Sequence, residues 1–286
     1  MPELPETETI ARDLDAAIAG ANIVAVKVLR TDVLRGLTFL GAAGRGRPAE
    51  AAELPFARSV SNRSIVRAWR RAKSVVLSLD NESHLVVTPR FTGALLIDAP
   101  GTPDAYACVR LRLGDGRELR YSDVRRLGTV AFFSAEAFAE WSEALGPEPL
   151  DPAFTVERFS ECLRGSKRAI KAVLMDQTRL AGVGNIYANE ALWRAGIRPS
   201  RRAASLTRHE KALLHGELTG VLRDAVAARG TSFRDYRDAF GARGGFAAQL
   251  QAYGRAGKPC SRCGATLKSS HAIDGRATVW CGGCQR

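Results

Sequence analysis

The stretch "IKAVLMDQTRLAGVGNIYANEALW" (residues 170–193) sets two apolar segments on either side of a glycine pair. Its spacing predicts one helix near 167–175 and another near 186–195. Between them Gly182 and Gly184 free the backbone, and Asn185 is suited to cap a helix that starts at Ile186. The amides exposed at such a start attract phosphate oxygens, although the same residues also suit an ordinary helix start. The surroundings are basic: residues 164–211 carry eleven Lys or Arg against Asp176, Glu190 and Glu210. Helices are also expected near 155–163 and 208–228, the latter with Leu213, Leu214, Leu218, Val221, Leu222 and Val226 on one face. The second half of the chain is therefore read as helical.

Further on, Cys260-Ser-Arg-Cys263 and Cys281-Gly-Gly-Cys284 have the spacing of a closed four-thiolate zinc site, and Asp274-Gly275 between them suits a two-residue hairpin turn. A structural zinc β-ribbon follows, with disulfides or loose thiols as the alternative. Arg276 leaves the turn at the tip, either as a solvated arginine or as a phosphate contact. Residues 254–286 hold six Lys or Arg against Asp274 alone. Two basic blocks in separate segments suggest two walls of a groove for a polyanion.

The first half has another texture. After Pro5, Ile10, Leu14, Ala17 and Ile18 recur at helical spacing until Gly20, so one helix opens the chain. From Ile23 to about Phe133 short β-rich runs follow ("NIVAVKVLR", "SVVLSLD", "HLVVTP", "GALLID", "CVRLRLGDGRELRYSD"), which predict an antiparallel sandwich. Residues 41–50 read as a surface loop, "LGPEPLDP" (145–152) as a hinge, and the glycine-dominated stretch 230–257 as a mobile or strained loop. With 286 residues, 45% of them apolar, the chain can build two cores. No run of 18 apolar residues occurs, which excludes an ordinary membrane span and leaves the cytoplasm as the expected location. The net charge of +12 calls for an acidic partner.

The opening "MPELPE" raises a separate question. Removal of the initiator methionine would leave Pro2 as a free secondary amine beside Glu3, either a catalytic site or a plain helix entrance. "MPELPE", "LGPEPL", the extended stretch "IKAVLMDQTRLAGVGNIYANEALWRAGIRP", "YGRAGKPC" and "GRATVWCGGCQ" together resemble, in order and over essentially the whole chain, the formamidopyrimidine-DNA glycosylases and related endonuclease VIII enzymes. The resemblance implies an α+β multidomain protein: an N-terminal antiparallel β-sandwich with an opening helix, then a helix-two-turns-helix domain with a four-cysteine zinc β-ribbon. The implied boundaries are 1–133 for the catalytic sandwich, 134–152 for a linker, 153–230 for the helical DNA-binding domain, 231–250 for a lesion-capping loop and 251–286 for the zinc finger. The implied partner is damaged double-stranded DNA, held between the domains by a monomeric bacterial enzyme, with one structural zinc on Cys260, Cys263, Cys281 and Cys284.

By motif position the resemblance makes Pro2 the nucleophile, Glu3 a general acid and Glu6 a residue that positions the amine. It places Lys73 at phosphate and lesion, Lys171, Asn185 and Arg276 at phosphates, and Glu190 near the active site unless it is a helix-surface carboxylate. The chain departs from the family pattern at Ala72, where glycine is usual, and at "TPRFTG" (88–93) and "DVRRLG" (123–128). There Phe91 and Leu127 replace the methionine and phenylalanine that fill the space left by a flipped base, while Arg125 is kept. Either these two are an altered wedge or they pack in a core. The long segment 230–255 favours oxidised purines such as 8-oxoguanine and formamidopyrimidines, removed through a Schiff base with β,δ-elimination. The alternatives are an endonuclease VIII-like enzyme for oxidised pyrimidines, a catalytically silent damaged-DNA binder and an RNA- or ribosome-associated protein.

Overall fold

The structure is a computed structural model that describes residues 2–35 and 53–286; the expected surface loop at 41–50 lies outside the described residues. The chain forms two compact units. The first comprises residues 1–144 together with 229–245, and the second 145–228 with 246–286.

In the first unit, helix α1 (Leu4–Ile18) starts with Pro5 in its first turn, where a missing N–H is no loss. Its Ile10, Leu14 and Ile18 are fully buried. There follow β1 (Asn22–Val28), β2 (Leu34–Arg35), α2 (Glu53–Val60), β3 (Arg63–Arg71), β4 (Ser74–Leu79), β5 (His84–Thr88), β6 (Gly93–Asp98), β7 (Ala107–Leu113), β8 (Glu118–Asp123), β9 (Thr129–Phe133) and α3 (Ala135–Glu143). The strands join in the order β2-β9-β5-β4-β3-β1-β7-β8-β6. β1 and β3 share only Asn22↔Ser64 and Ile23↔Arg63, and at this seam the sheet folds into two layers. Leu77, Leu85, Val87 and Val130 of one layer meet Leu95, Val109, Leu111, Leu119 and Tyr121 of the other in a common core. Among the described residues all strand pairings are antiparallel except the short β2–β9 contact, which is parallel.

Two sequence expectations change here. Residues 134–152 do not form a linker: α3 covers the outer face of β4, β5 and β9, with Phe138 against Trp69, His84, Phe133 and Trp141. "LGPEPL" belongs to the second unit, where Gly146 N–H donates to Gln177 O and Pro147 O accepts from Ala181 N–H. The glycine-rich segment is also built otherwise than expected. Its residues 229–245 return to the first unit, with Tyr236 and Ala239 in the sandwich core and Ala239 O accepting from Ile97 N–H. Gly244 is dictated by space, since a Cβ there would lie 2.3 Å from Gly230 O.

The second unit carries α4 (Val156–Leu163), α5 (Ile170–Leu174), α6 (Asn185–Arg194) and α7 (Arg208–Ala227), and then a two-stranded ribbon of β10 (Leu267–Ser270) and β11 (Thr278–Cys281). The Asp274-Gly275 turn is present: Arg276 N–H donates to Ile273 O, with φ of 51° and 64° at the two central residues. The strand ladder ends earlier, however, at Ser270↔Thr278, so Arg276 projects from a seven-residue tip rather than a tight hairpin. No helix among the described residues is long and apolar enough to cross a membrane.

Candidate functional site

The N-terminal end of α1 gathers the acidic residues that the sequence singled out. Pro2 is buried, and Glu3 and Glu6 are 2% and 1% exposed. Glu6 accepts from the Glu3 N–H through Oε2 at 2.8 Å and from the Thr231 N–H through Oε1 at 2.7 Å. Each carboxyl oxygen thus accepts from a backbone donor, one at the start of α1 and one in segment 229–245. The tie to Thr231 is reinforced nearby: Tyr236 Oη–H donates to Glu6 O, and Arg229 joins Asp13 of α1 to Asp238. Segment 229–245 therefore braces the helix that carries Pro2.

Lys73 lies in the β3–β4 turn, half-buried. Arg70 of β3 holds the turn at Ala72 O (3.1 Å) and pairs with Glu8 of α1 (2.8 Å), while Arg71 binds Ser142 of α3. Burial alone would raise the Glu8 carboxyl, but Arg70 and Arg12 hold it below its ordinary value. The turn is locked to α1 and α3, and Lys73 with it. Ala72 has φ of 53°, the left-handed region where glycine would be relaxed.

Phe91 and Leu127 are not core residues. They are 41% and 40% exposed, and the Arg125 guanidinium lies 5.3 Å from the centre of the Phe91 ring. What presents them escaped the sequence reading. Asp123, 2% exposed, accepts from the Arg125 and Gly128 N–H groups and from the Thr92 and Tyr121 hydroxyls, pinning both loops from below. Gly128 is obligatory, since a Cβ would sit 2.0 Å from Tyr121 Oη and 2.6 Å from Thr88 O.

In the second unit the assignments shift. Lys171 is fully buried, and its Nζ donates to Ala277 O at 2.9 Å and to Thr278 Oγ1 at 2.8 Å. Its ammonium is thus held against the chain that follows Arg276 rather than left at the surface. Asn185 is not the cap: Gly184 occupies that position, and Asn185 is the first helical residue, half-buried. The residue the sequence reading overlooked is Asn189, also fully buried. It donates to Asn185 O at 2.6 Å and accepts from Val279 N–H at 2.8 Å, so with Lys171 it grips β11 just beyond Arg276, which stays exposed. Glu190 is neither a surface carboxylate nor a group open to substrate. It is 0% exposed and accepts the N–H groups of Gln251, Ala252 and Tyr253; burial raises its carboxyl above the ordinary value, and those donors offset only part of the rise. Part of the basic block is likewise spent internally, in Arg168–Asp176, Arg194–Asp224 and Arg201–Glu210 pairs.

The four cysteine sulfurs lie within 4.8 Å of one another, close to the roughly 3.8 Å edge of a zinc–thiolate tetrahedron. Burial opposes ionisation of Cys260, yet the Arg262 N–H, the Trp193 indole and the Cys263 N–H bring its thiol down to about 6. Cys284, hydrogen-bonded to Cys263, partly desolvated and crowded by the other thiols, is pushed up to about 12. Four thiolates cannot share this volume without a cation, which a dication of zinc's size supplies. The buried Trp193 Nε1–H, which has no other acceptor among the described residues, suits a thiolate-rich centre.

Comparison with known proteins completes the assignment. The formamidopyrimidine-DNA glycosylase N-terminal domain matches residues 1–130, and the H2TH domain of the same enzymes matches 145–237. A formamidopyrimidine-DNA glycosylase from a Roseiflexus species is 42% identical over 290 aligned residues that cover all of both chains. The chain belongs to the formamidopyrimidine-DNA glycosylase family. A second relative of that name, from Herpetosiphon aurantiacus, is 41% identical, again over all of both chains. Among solved structures, a Lactococcus lactis Fpg variant bound to Fapy-dG-containing DNA superposes with a TM-score of 0.87 at 29% identity over the full length of both chains. The wild-type Lactococcus lactis enzyme bound to DNA with an oxidised pyrimidine gives 0.86 at 29% identity, also over both full chains. Membership makes this protein a DNA glycosylase of base-excision repair, in a family whose activities include cleavage at abasic sites.

Proposed function

We propose that the enzyme removes oxidised purines, 8-oxoguanine and formamidopyrimidines, from duplex DNA and then cuts the strand, with Pro2 as nucleophile once Met1 is removed. The observation that carries this reading is the α1 start, where Glu6 fixes the Glu3 backbone and Pro2 and Glu3 are buried beside it. A free α-amine titrates at about 8, so a useful fraction is neutral at cellular pH. The Pro2 nitrogen attacks deoxyribose C1′, the damaged base departs with the glycosidic electrons, and Glu3 protonates the ring oxygen as the sugar opens. A secondary amine gives an iminium with no N–H to lose. That cation acidifies the C2′ hydrogen, whose removal expels the 3′ phosphate; loss of a second proton, from C4′ of the resulting conjugated iminium, then expels the 5′ phosphate, and water finally releases the amine.

Other residues take supporting roles in this reading. Lys73 and Arg276 contact phosphates, Asn185 offers a helix-start amide and its side chain to another, and Lys171 with Asn189 holds Arg276 in place. Phe91, Arg125 and Leu127 fill the gap and face the orphaned base. Segment 231–250 caps the extruded purine, and one structural zinc sits on Cys260, Cys263, Cys281 and Cys284. Borohydride reduction in the presence of an 8-oxoguanine duplex should trap a covalent complex mapped to residue 2, and Pro2→Gly should trap far less. An adduct on a lysine would overturn the reading.

A further inference from the structure

The two loops that carry Phe91 and Leu127 have the same construction. Before β6 the Gly93 N–H donates to Pro89 O at 3.0 Å, and after β8 the Arg126 N–H donates to Asp123 O at 3.3 Å, so each is a tight turn at a strand end. Each also holds one arginine in the left-handed region, Arg90 at φ of 52° and Arg126 at 51°. That conformation is unfavourable for a residue with a Cβ and persists only where the surroundings enforce it. Phe91 and Leu127 stand too far in solvent to do so. The β6–β8 ladder reaches only to Gly93↔Asp123, and past that pair the Asp123 side chain takes over from the backbone ladder.

Its two carboxylate oxygens serve different donors. Oδ1 accepts from the Thr92 hydroxyl and, at 3.1 Å, from the Arg125 N–H; Oδ2 accepts from the Tyr121 hydroxyl at 3.1 Å and from the Gly128 N–H at 2.8 Å. The Arg125 N–H is shared, since it also meets Thr92 Oγ1 at 3.1 Å. A hydroxyl of one loop and two amides of the other thus converge on one buried carboxylate. Arg125 sits at the joint, with its guanidinium beside the Phe91 ring of the opposite loop. The charge state matters, because a carboxamide of the same shape keeps one acceptor oxygen and turns an NH2 toward the other pair of donors. The hydroxyls can rotate away from it, but the Arg125 and Gly128 N–H groups cannot, so one of these two amides would lose its acceptor.

We propose that Asp123 is a positioning residue that joins the two loops into one rigid wedge, so that Phe91, Arg125 and Leu127 enter the duplex together and meet the orphaned base in a single arrangement. Asp123, 2% exposed, acts through the loops and not by contact with DNA. The inference rests on the wedge reading of Phe91, Arg125 and Leu127, and the test separates the two.

The test uses duplexes with a tetrahydrofuran site and 2-aminopurine opposite it, whose fluorescence rises when the orphaned base is unstacked. The wild-type enzyme would be compared with Asp123→Asn, Thr92→Val, Thr92→Ser and Phe91→Ala, with the melting temperature and the salt dependence of binding recorded for each. Asp123→Asn and Thr92→Val should each lose most of the fluorescence rise and weaken binding about three- to thirtyfold, in line with the uncoupling of groups in one hydrogen-bond network. The slope of log affinity against log salt should stay at the wild-type value, because no phosphate contact is lost. Thr92→Ser, which keeps the hydroxyl, should match the wild type. If Asp123→Asn does not fold, Thr92→Val decides alone. A full fluorescence rise in Thr92→Val and in folded Asp123→Asn, alongside a reduced one in Phe91→Ala, would overturn the proposal and leave the wedge standing. A full rise in Phe91→Ala as well would remove the wedge reading and the proposal with it. A salt slope that falls together with the fluorescence would mark Asp123 as a residue of the domain fold and likewise overturn the positioning role.

Discussion

At the scale of single residues, Ala72 shows a local rule broken at the β3–β4 turn. A non-glycine residue with φ of 53° costs about 1–2 kcal/mol, partly offset because glycine loses more backbone entropy on folding. Ala72→Gly should therefore stabilise the protein by about 0.5–1 kcal/mol and raise its melting temperature by about 1–4 °C, checked by calorimetry. Asn189 makes the opposite case. Asn189→Ala leaves the buried Val279 N–H without its acceptor, a loss of about 1–3 kcal/mol. It should also flatten the salt dependence of DNA binding, because the strand behind Arg276 is released; a normal salt slope in a destabilised variant would show that Asn189 holds the fold but not Arg276. These two residues mark what the sequence could and could not tell. Ala72 was visible as a departure from a motif. Nothing local distinguishes Lys171, whose ammonium is buried against Ala277 and Thr278 more than a hundred positions away, from a lysine aimed at solvent. Asp123 likewise looks like any turn aspartate until four donors are seen to converge on it.

At the scale of elements, helices with one clear apolar face announced themselves, whereas β3 and the helix α3 did not. The expected helices at 155–163 and 208–228 agree with α4 and α7 to within a residue, because each presents a clear apolar face and starts with a threonine cap that the structure shows in use. β3 passed unnoticed because "RSIVRAWRR" scatters four arginines through a strand whose charged residues pair with α1 and α3. α3 was taken for linker because its aromatic residues cover the outside of a sheet, a burial that only the tertiary fold creates. The start of α7 offers a pH test. Glu210 completes a capping box with Thr207, and hydrogen bonding to Arg201 takes its carboxyl from an ordinary value of 4.5 down to about 2. A depressed carboxyl stabilises the fold above its unfolded value, and that contribution is lost as pH falls through the folded one. Between pH 4.5 and 2 the melting temperature of the wild type should fall more steeply than that of Glu210→Gln, while the two curves run parallel above pH 6.

At the scale of the whole molecule, the sandwich unit is assembled from two pieces of chain separated by 84 residues of the other unit. A fragment ending at residue 144 would lack Thr231, Tyr236 and Arg229, removing the Thr231 and Tyr236 bonds to Glu6 and the Arg229 pair of Asp13 at the helix that carries Pro2. Such a fragment should melt well below the full chain and recover on addition of a peptide covering 229–245, as circular dichroism would show. The same discontinuity orders events during synthesis. Ribosomes add about 5–20 residues per second, so about 5–20 s pass between completion of the ninth strand of the sandwich and emergence of the segment that finishes it. Through that interval the nascent chain carries a sandwich without its last brace. The α1 helix therefore receives its bonds from Thr231, Tyr236 and Arg229 only after the helical unit has largely been translated.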